Sequence, residues 1–208
     1  MANISLGTTD VKICARALVN IGMSPIDNLE GDDDVTLACS LLYPMVKKEV
    51  LCAYPWWASK GKKQLGRLTN TPTNEYRYGF QLPSGRISGP LAIYNSGDVG
   101  AQPIKEWDIQ GDVVLSDQPA LWGDFQFDID ESRFPPYIEN LTIYILSARL
   151  AESLTDDSSK ADKYDFIAFG TPGEKRWGGY FEIARSIDSR FRPNQSIKGF
   201  SLVDARGS

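Results

Sequence analysis

The chain contains no histidine. That absence removes Ser-His-Asp and Cys-His nucleophilic catalysis, imidazole proton shuttles and every histidine-containing metal site. Cysteine is scarce as well: Cys14, Cys39 and Cys52 make an odd set with no C-x-x-C pair. All three lie in segments with helical spacing, so buried free thiols are expected rather than a disulfide or a metal centre. Long apolar runs are also missing. The longest apolar-rich stretch, residues 138–150, carries Glu139, Asn140 and Arg149, too short and too polar to span a bilayer, and no membrane partner is expected. The opening "MANISLGTTD" has no charged segment followed by an apolar one, so no signal peptide is expected and the sequons at Asn140 and Asn194 carry little meaning. Basic residues are outnumbered 22 to 27, for a net charge of −5. Such a surface does not wrap nucleic acid non-specifically, though it can surround DNA without gripping it. These absences describe an intracellular or assembled soluble protein.

What is present is an ordinary globular composition, 42% hydrophobic over 208 residues, enough for one sizeable domain or two small ones sharing a core. Residues 9–21 have helical spacing, with Thr8, Thr9 or Asp10 as cap, a stripe of Val11, Cys14, Ala15, Leu18 and Ile21, and Gly22 as the stop. A second helix is expected over 33–54, its positive end facing Asp32, Asp33 and Asp34. Its stripe is Val35, Ala38, Leu42, Met45 and Val46, and Pro44 should kink or split it. From 61 to 131 glycine, proline, threonine and asparagine become dense and the apolar residues alternate. Short strands are expected at 63–68, 77–82, 91–94, 104–109, 112–115 and 125–129, with a hairpin at Ile109-Gln110-Gly111-Asp112. Helix returns over 137–154, apolar on two faces and therefore central. A last helical stretch, 159–187, is interrupted at Gly170, Pro172 and Gly173, and periodicity ends at 188.

The expected fold is therefore α+β. A helical bundle is formed by residues 1–60 and 133–187, a small antiparallel β domain is inserted at 61–132, and an extended C-terminal tail covers 188–208.

Three stretches could carry chemistry. In "DFQFDIDE", a strand would point Phe125, Phe127 and Ile129 one way and Asp124, Gln126, Asp128 and Asp130 the other. The plainer reading is a half-buried strand with a solvated acidic face. The alternative is a carbohydrate-binding or glycan-hydrolysing tail-associated protein that uses the Asp124–Asp130 strand with exposed Trp107 or Trp122. The glycine-rich "GTPGEKRWGG" lacks the order of a phosphate loop and is read as a turn. Finally, "LCAYPWWASKGKKQL" places Trp56 and Trp57 beside Lys60, Lys62 and Lys63, with Arg67 beyond. Stacking rings next to cations suit single-stranded nucleic acid. Pro55, however, disfavours helical continuation at Tyr54. Pro55, Trp56 and Trp57 are therefore read as a fold-critical joint that seals bundle to insert, with Trp56 buried and Trp57 half exposed. No catalytic site, cofactor site or metal site assembles from these pieces. The tail is locally basic, and Arg190, Arg192, Lys198, Phe200 and Arg206 are its candidate docking residues.

Taken in order, "ARALVNIGMSPIDNLEGDDD", "LLYPMVKKEVLCAYPWWAS", "FQLPSGRI", "KEWDIQGDVVLSD" and "RFPPYIENLTIYILSARLAESLTDD" resemble the head-to-tail adaptor (connector) family of tailed bacteriophages, the group of tail tubular protein A in short-tailed phages. The resemblance covers about residues 10–187. Its matching positions are Ile21, Gly22, Pro25, Tyr43, Leu51, Tyr54, Pro55, Trp56, Pro135, Leu150 and Ala151. The resemblance implies a structural virion protein without enzymatic activity, made in the host cytoplasm and located at the head–tail junction. It implies a ring, usually dodecameric, between the portal protein and a distal, nozzle-type tail protein, with genomic DNA passing through the channel without sequence-specific binding. The tail, with Arg190, Arg192, Lys198, Phe200 and Arg206, would dock on the portal.

Overall fold

A computed structural model describes residues 9–70, 75–155 and 157–191. Helix α1 spans Asp10–Ile21 and is capped by Thr9, whose hydroxyl accepts from the Lys12 amide. It stops at Gly22, left-handed at φ 86°, where the Gly22 and Met23 amides reach back to Val19 and Leu18 carbonyls. Its buried face is Ile13, Cys14, Ala17, Leu18 and Ile21, so Ile13 and Ala17 replace the expected Val11 and Ala15. Helix α2, Asp34–Ala53, is capped by the Asp33 carboxylate, which accepts from the Thr36 amide at 3.0 Å; hydrogen bonding from the Thr36 side chain, then from its amide, holds that carboxylate below the usual range. Pro44 does not split it: the helix is unbroken, and Pro44 sits on the exposed side, where water can serve the Ser40 carbonyl that loses its donor. Met45, expected in the stripe, is outward-facing.

Helix α3, Pro136–Thr155, lies centrally and packs against α1, α2, α4 (Ser158–Phe169) and α5 (Gly179–Ser189). Its two apolar faces require this, because one face alone could not bury Ile138, Leu141, Ile143, Ile145, Leu146 and Leu150. The buried hydroxyls of Thr142 and Ser147 donate to the carbonyls four residues earlier, Ile138 and Ile143, and so carry no desolvation penalty. The expected interruption of the last helical stretch is a real break. A 3₁₀ turn at Pro172–Glu174 separates α4 from α5, with left-handed backbone at Lys175 and Arg176.

Between α2 and α3 the described residues form seven strands: β1 (Lys60–Gln64), β2 (Gly66–Arg67), β3 (Tyr78–Gln81), β4 (Ala92–Tyr94), β5 (Asp108–Gln110), β6 (Val113–Ser116) and β7 (Trp122–Gln126). They form two antiparallel sheets, ordered β1-β7-β4 and β2-β3-β6-β5. The hairpin joins β5 to β6 with Gly111 at φ 58°, as its sequence predicts. The strand expected at 104–109 is confined to its end, and the one expected at 125–129 is displaced to 122–126.

The architecture is α+β, with two hydrophobic clusters. Leu65, Phe80, Leu82, Ile93, Val114, Leu121 and Phe125 fill the space between the sheets, while the helices share a larger core to which Ala58 and Ile129 also belong. Helix α5 continues to Ser189, so Asp188, assigned by its lost periodicity to an extended tail, is instead a fully buried helical residue. Its spacing from Phe181 and Ala184 is that of the buried α5 face. Residues 192–208 lie outside the described residues.

Cysteine burial differs from expectation at one position. Cys14 and Cys39 are buried at the α1–α2 contact, where the hydrogen bond between their thiols, followed by burial, pushes the Cys14 thiol up. Cys52 is exposed, its thiol donating to the Ile87 carbonyl at 3.4 Å. In a native thiol-labelling time course, Cys52 should react first, with Cys14 and Cys39 slower by about a hundredfold or more, because they require opening of the bundle. Equal rates at all three would refute this burial pattern.

Candidate functional site at the bundle–sheet joint

The last four carbonyls of a helix have no helical donor and need partners elsewhere. Helix α2 ends without a glycine: Tyr54 turns extended, at φ −151° and ψ 146°, as the residue before Pro55 must. Its orphaned carbonyls are served by side chains from two directions. The Trp56 indole Nε1 donates to Val50 O at 2.7 Å, and the ring is fully buried against Tyr54, Tyr137 and Phe181, with centroids 4.9, 6.0 and 6.0 Å away. The Gln126 amide, from the end of β7, donates to Leu51 O at 2.9 Å and Tyr54 O at 2.8 Å. Gln126 is only 2% exposed, so the expected wet side of that strand is turned inward here.

The chain crosses between the two cores twice, and the crossings are zipped together. Lys60 pairs with Gln126, and the Phe127 amide donates to Ser59 O at 2.8 Å. On the return crossing Phe125 lies in the sheet core and Ile129 in the helical core. Alternation therefore ends at Gln126 because the residues beyond it belong to a different core.

From the third side comes Asp188 of α5. Its Oδ1 accepts from the Tyr137 hydroxyl at 2.9 Å and from the Trp57 amide at 3.1 Å. Burial, then this bond, pushes the Tyr137 phenol up. Trp57 itself is 45% exposed, its ring 5.4 Å from that of Phe191. Pro55 is half-buried, and Arg190 is exposed just beyond α5. The other docking candidates, Arg192, Lys198, Phe200 and Arg206, lie outside the described residues.

The cations after the joint are occupied at home. Lys62 lies 3.7 Å from the centre of the Tyr94 ring, Lys63 lies 4.6 Å from that of Phe127, and Arg67 covers Tyr78 at 3.8 Å. They shield rings of the β domain rather than forming a stacking platform with Trp56.

The carboxylates of the acidic stretch are likewise dispersed. Asp124 accepts from the Tyr94 hydroxyl at 2.8 Å, Asp130 caps the 3₁₀ turn at Glu131–Arg133, and Asp128 pairs with Lys47 at 3.1 Å. Trp107 and Trp122 are both half-buried rather than open. Among the described residues no group of three histidine, cysteine, aspartate or glutamate side chains is placed to hold a metal ion, and no helix is long and apolar enough to cross a membrane.

Lys47 also pairs with Glu131 at 2.9 Å, and Glu131 accepts from the Tyr43 hydroxyl at 2.6 Å. Burial opposes both charges, but their hydrogen bonds outweigh it, holding Glu131 below and Lys47 above its ordinary value. A depressed carboxylate adds stability above its unfolded value, near 4.5, and loses it as pH falls through the folded value. A raised amine adds stability below its unfolded value, 10.5, and loses it as pH rises through the folded value. Lys47→Met should therefore cost about 2 kcal/mol near neutrality, with a difference from wild type that shrinks in acid and in strong alkali. A pH-independent difference in urea unfolding would refute the pair.

Comparison with known proteins finds no family model that matches this chain and no significantly similar curated protein.

Proposed function

We propose that this chain is a head-to-tail adaptor of a tailed bacteriophage, a structural virion protein that forms a ring between portal and distal tail and leaves a channel for DNA. The observation that supports this reading most directly is where the resembling positions lie. Ile21, Tyr43, Leu51, Trp56, Leu150 and Ala151 all belong to one helical core, and Pro55 shapes the joint beside it. Three of the five stretches that carry the resemblance thus build the bundle and its joint, while "FQLPSGRI" and "KEWDIQGDVVLSD" belong to the inserted β domain. The chemistry agrees in kind: every buried carboxylate and amide described at the joint serves architecture.

In this role the work is done by faces. Subunits meet through unlike surfaces related by rotation, and the net negative charge lets DNA pass without being held. The portal would sit on one end of the ring and a nozzle-type protein on the other. At the head–tail junction the ring, a dodecamer in this reading, needs no cofactor.

Mixing the purified protein with its portal and imaging negatively stained particles tests the proposal. Ring-shaped density capping the portal is the expected result; bare portals across a wide range of concentration and salt would sink it.

A further inference from the structure

Helix α2 carries an apolar stripe that is exposed among the described residues. Leu37, Leu41 and Met45 are 51%, 62% and 66% exposed, and their spacing of four places them in one row. A groove of about 660 Å³ runs beside the row, floored by Met23, Val35, Ala38, Leu42 and Leu154. The end of this stripe is acidic: residues 27–34 hold Asp27, Glu30, Asp32, Asp33 and Asp34 and no basic residue.

Beyond the opposite end of the same helix lies a second exposed patch of the opposite character. There the adjoining, mutually tilted rings of Trp57 and Phe191 are 45% and 60% exposed. Exposed Arg190 adjoins Phe191 in sequence and exposed Lys60 follows Trp57 by three residues, with no acid between them, while Lys62 and Lys63 are turned to the Tyr94 and Phe127 rings.

From these two faces we infer that the acidic-rimmed stripe of one copy takes the basic-rimmed aromatic patch of the next. This rests on the ring reading above and names the surfaces that would make the ring. Two features of the molecule select a second copy as the occupant. The charges are complementary, so like faces repel and unlike faces attract. The faces are also held apart by an unbroken helix, whose rise from Leu41 to its end at Ala53 is about 18 Å. No copy can fold its own patch onto its own stripe. A contact between two different faces leaves one of each unfilled at the ends of any chain of copies, so it adds copies until a ring closes or runs on as an open filament, and the ring reading takes the first.

The test uses two variants altered at exposed positions. Leu41→Lys spoils the stripe and keeps the patch; Arg190→Glu with Phe191→Glu spoils the patch and keeps the stripe. Sedimentation velocity over rising concentration should show wild type forming species larger than dimers, and each variant alone weakened by about tenfold or more. Mixed in equal amounts, the two variants should form dimers and nothing larger, since only one good junction remains. Circular dichroism and melting of each variant should match wild type. Variants that assemble like wild type would overturn these faces and leave the ring reading standing. A wild type monomeric at every concentration would overturn the self-contact and point to another protein on the stripe; the ring reading is then decided separately by the portal imaging. If truncation after Phe191 newly exposes a dye-binding surface that Leu41→Lys abolishes, the chain's own last residues cover the stripe and the inference falls.

Discussion

Replacing Trp56 by alanine is expected to destabilise the protein by about 3–5 kcal/mol, the range for a large aromatic removed from a packed core. Two losses combine. The ring leaves a cavity among Tyr54, Tyr137 and Phe181, and the Val50 carbonyl loses its donor at the end of α2. Trp56→Phe helps separate them, since it keeps one six-membered ring of the packing while removing the N–H and the five-membered ring, and should cost about 2–3 kcal/mol. Trp57→Ala, at a half-exposed ring, should cost less than about 1 kcal/mol. Urea unfolding midpoints at constant slope measure all three. A Trp56→Ala midpoint close to that of Trp57→Ala would show that the joint is not sealed by the buried indole.

Ending the chain after residue 187 should cost about 2–4 kcal/mol relative to ending it after residue 191. The sequence pattern assigns both cuts to a dispensable tail; the position of Asp188 separates them. Removing Asp188 strips the buried Tyr137 hydroxyl of its 2.9 Å acceptor and the Trp57 amide of its 3.1 Å acceptor. The earlier cut also removes the last two residues of α5, Asp188 and Ser189. Asp188→Ala in the full chain should reproduce most of the difference, because a buried donor without an acceptor keeps its desolvation cost. Equal melting temperatures for the two truncated chains would refute the clamp. Under the adaptor proposal the two cuts also separate folding from docking: a chain ending at residue 191 keeps its clamp, so any lost portal affinity belongs to residues 192–208.

Several features of the fold are legible from local pattern because their causes are local. Thr9 and Gly22 bound α1 through one hydroxyl and one left-handed backbone, and Gly111 turns the β5–β6 hairpin in the same way. The two apolar faces of α3 announce a central helix. Pro55 and the tryptophans beside it mark the joint, with Trp56 inside and Trp57 half out. Other residues depart from their local pattern because their surroundings come from distant segments. Gln126 stands in the polar phase of an alternating strand, yet it is buried because the open end of α2 comes to meet it. Met45 falls on an acceptable helical stripe, yet it faces outward because α3 packs on the other side. Asp188 follows the spacing of Phe181 and Ala184, but no local rule predicts a carboxylate on a buried face.

Sequence alone determined the order of helices, sheet and helices, the boundaries set by caps and prolines, and the absence of histidine chemistry. Each depends on the chain's own backbone or on a residue's own type. Only the tertiary structure decided that the exit and return crossings are zipped at Lys60 and Gln126, that side chains from two segments satisfy the end of α2 while Asp188 clamps the joint from a third, and that two unlike apolar faces are exposed among the described residues. Those outcomes depend on which orphaned carbonyl meets which donor across more than 70 residues of chain, as Gln126 and Leu51 do. Burial and hydrogen-bond satisfaction are properties of the assembled neighbourhood, and a one-dimensional pattern contains no term for them.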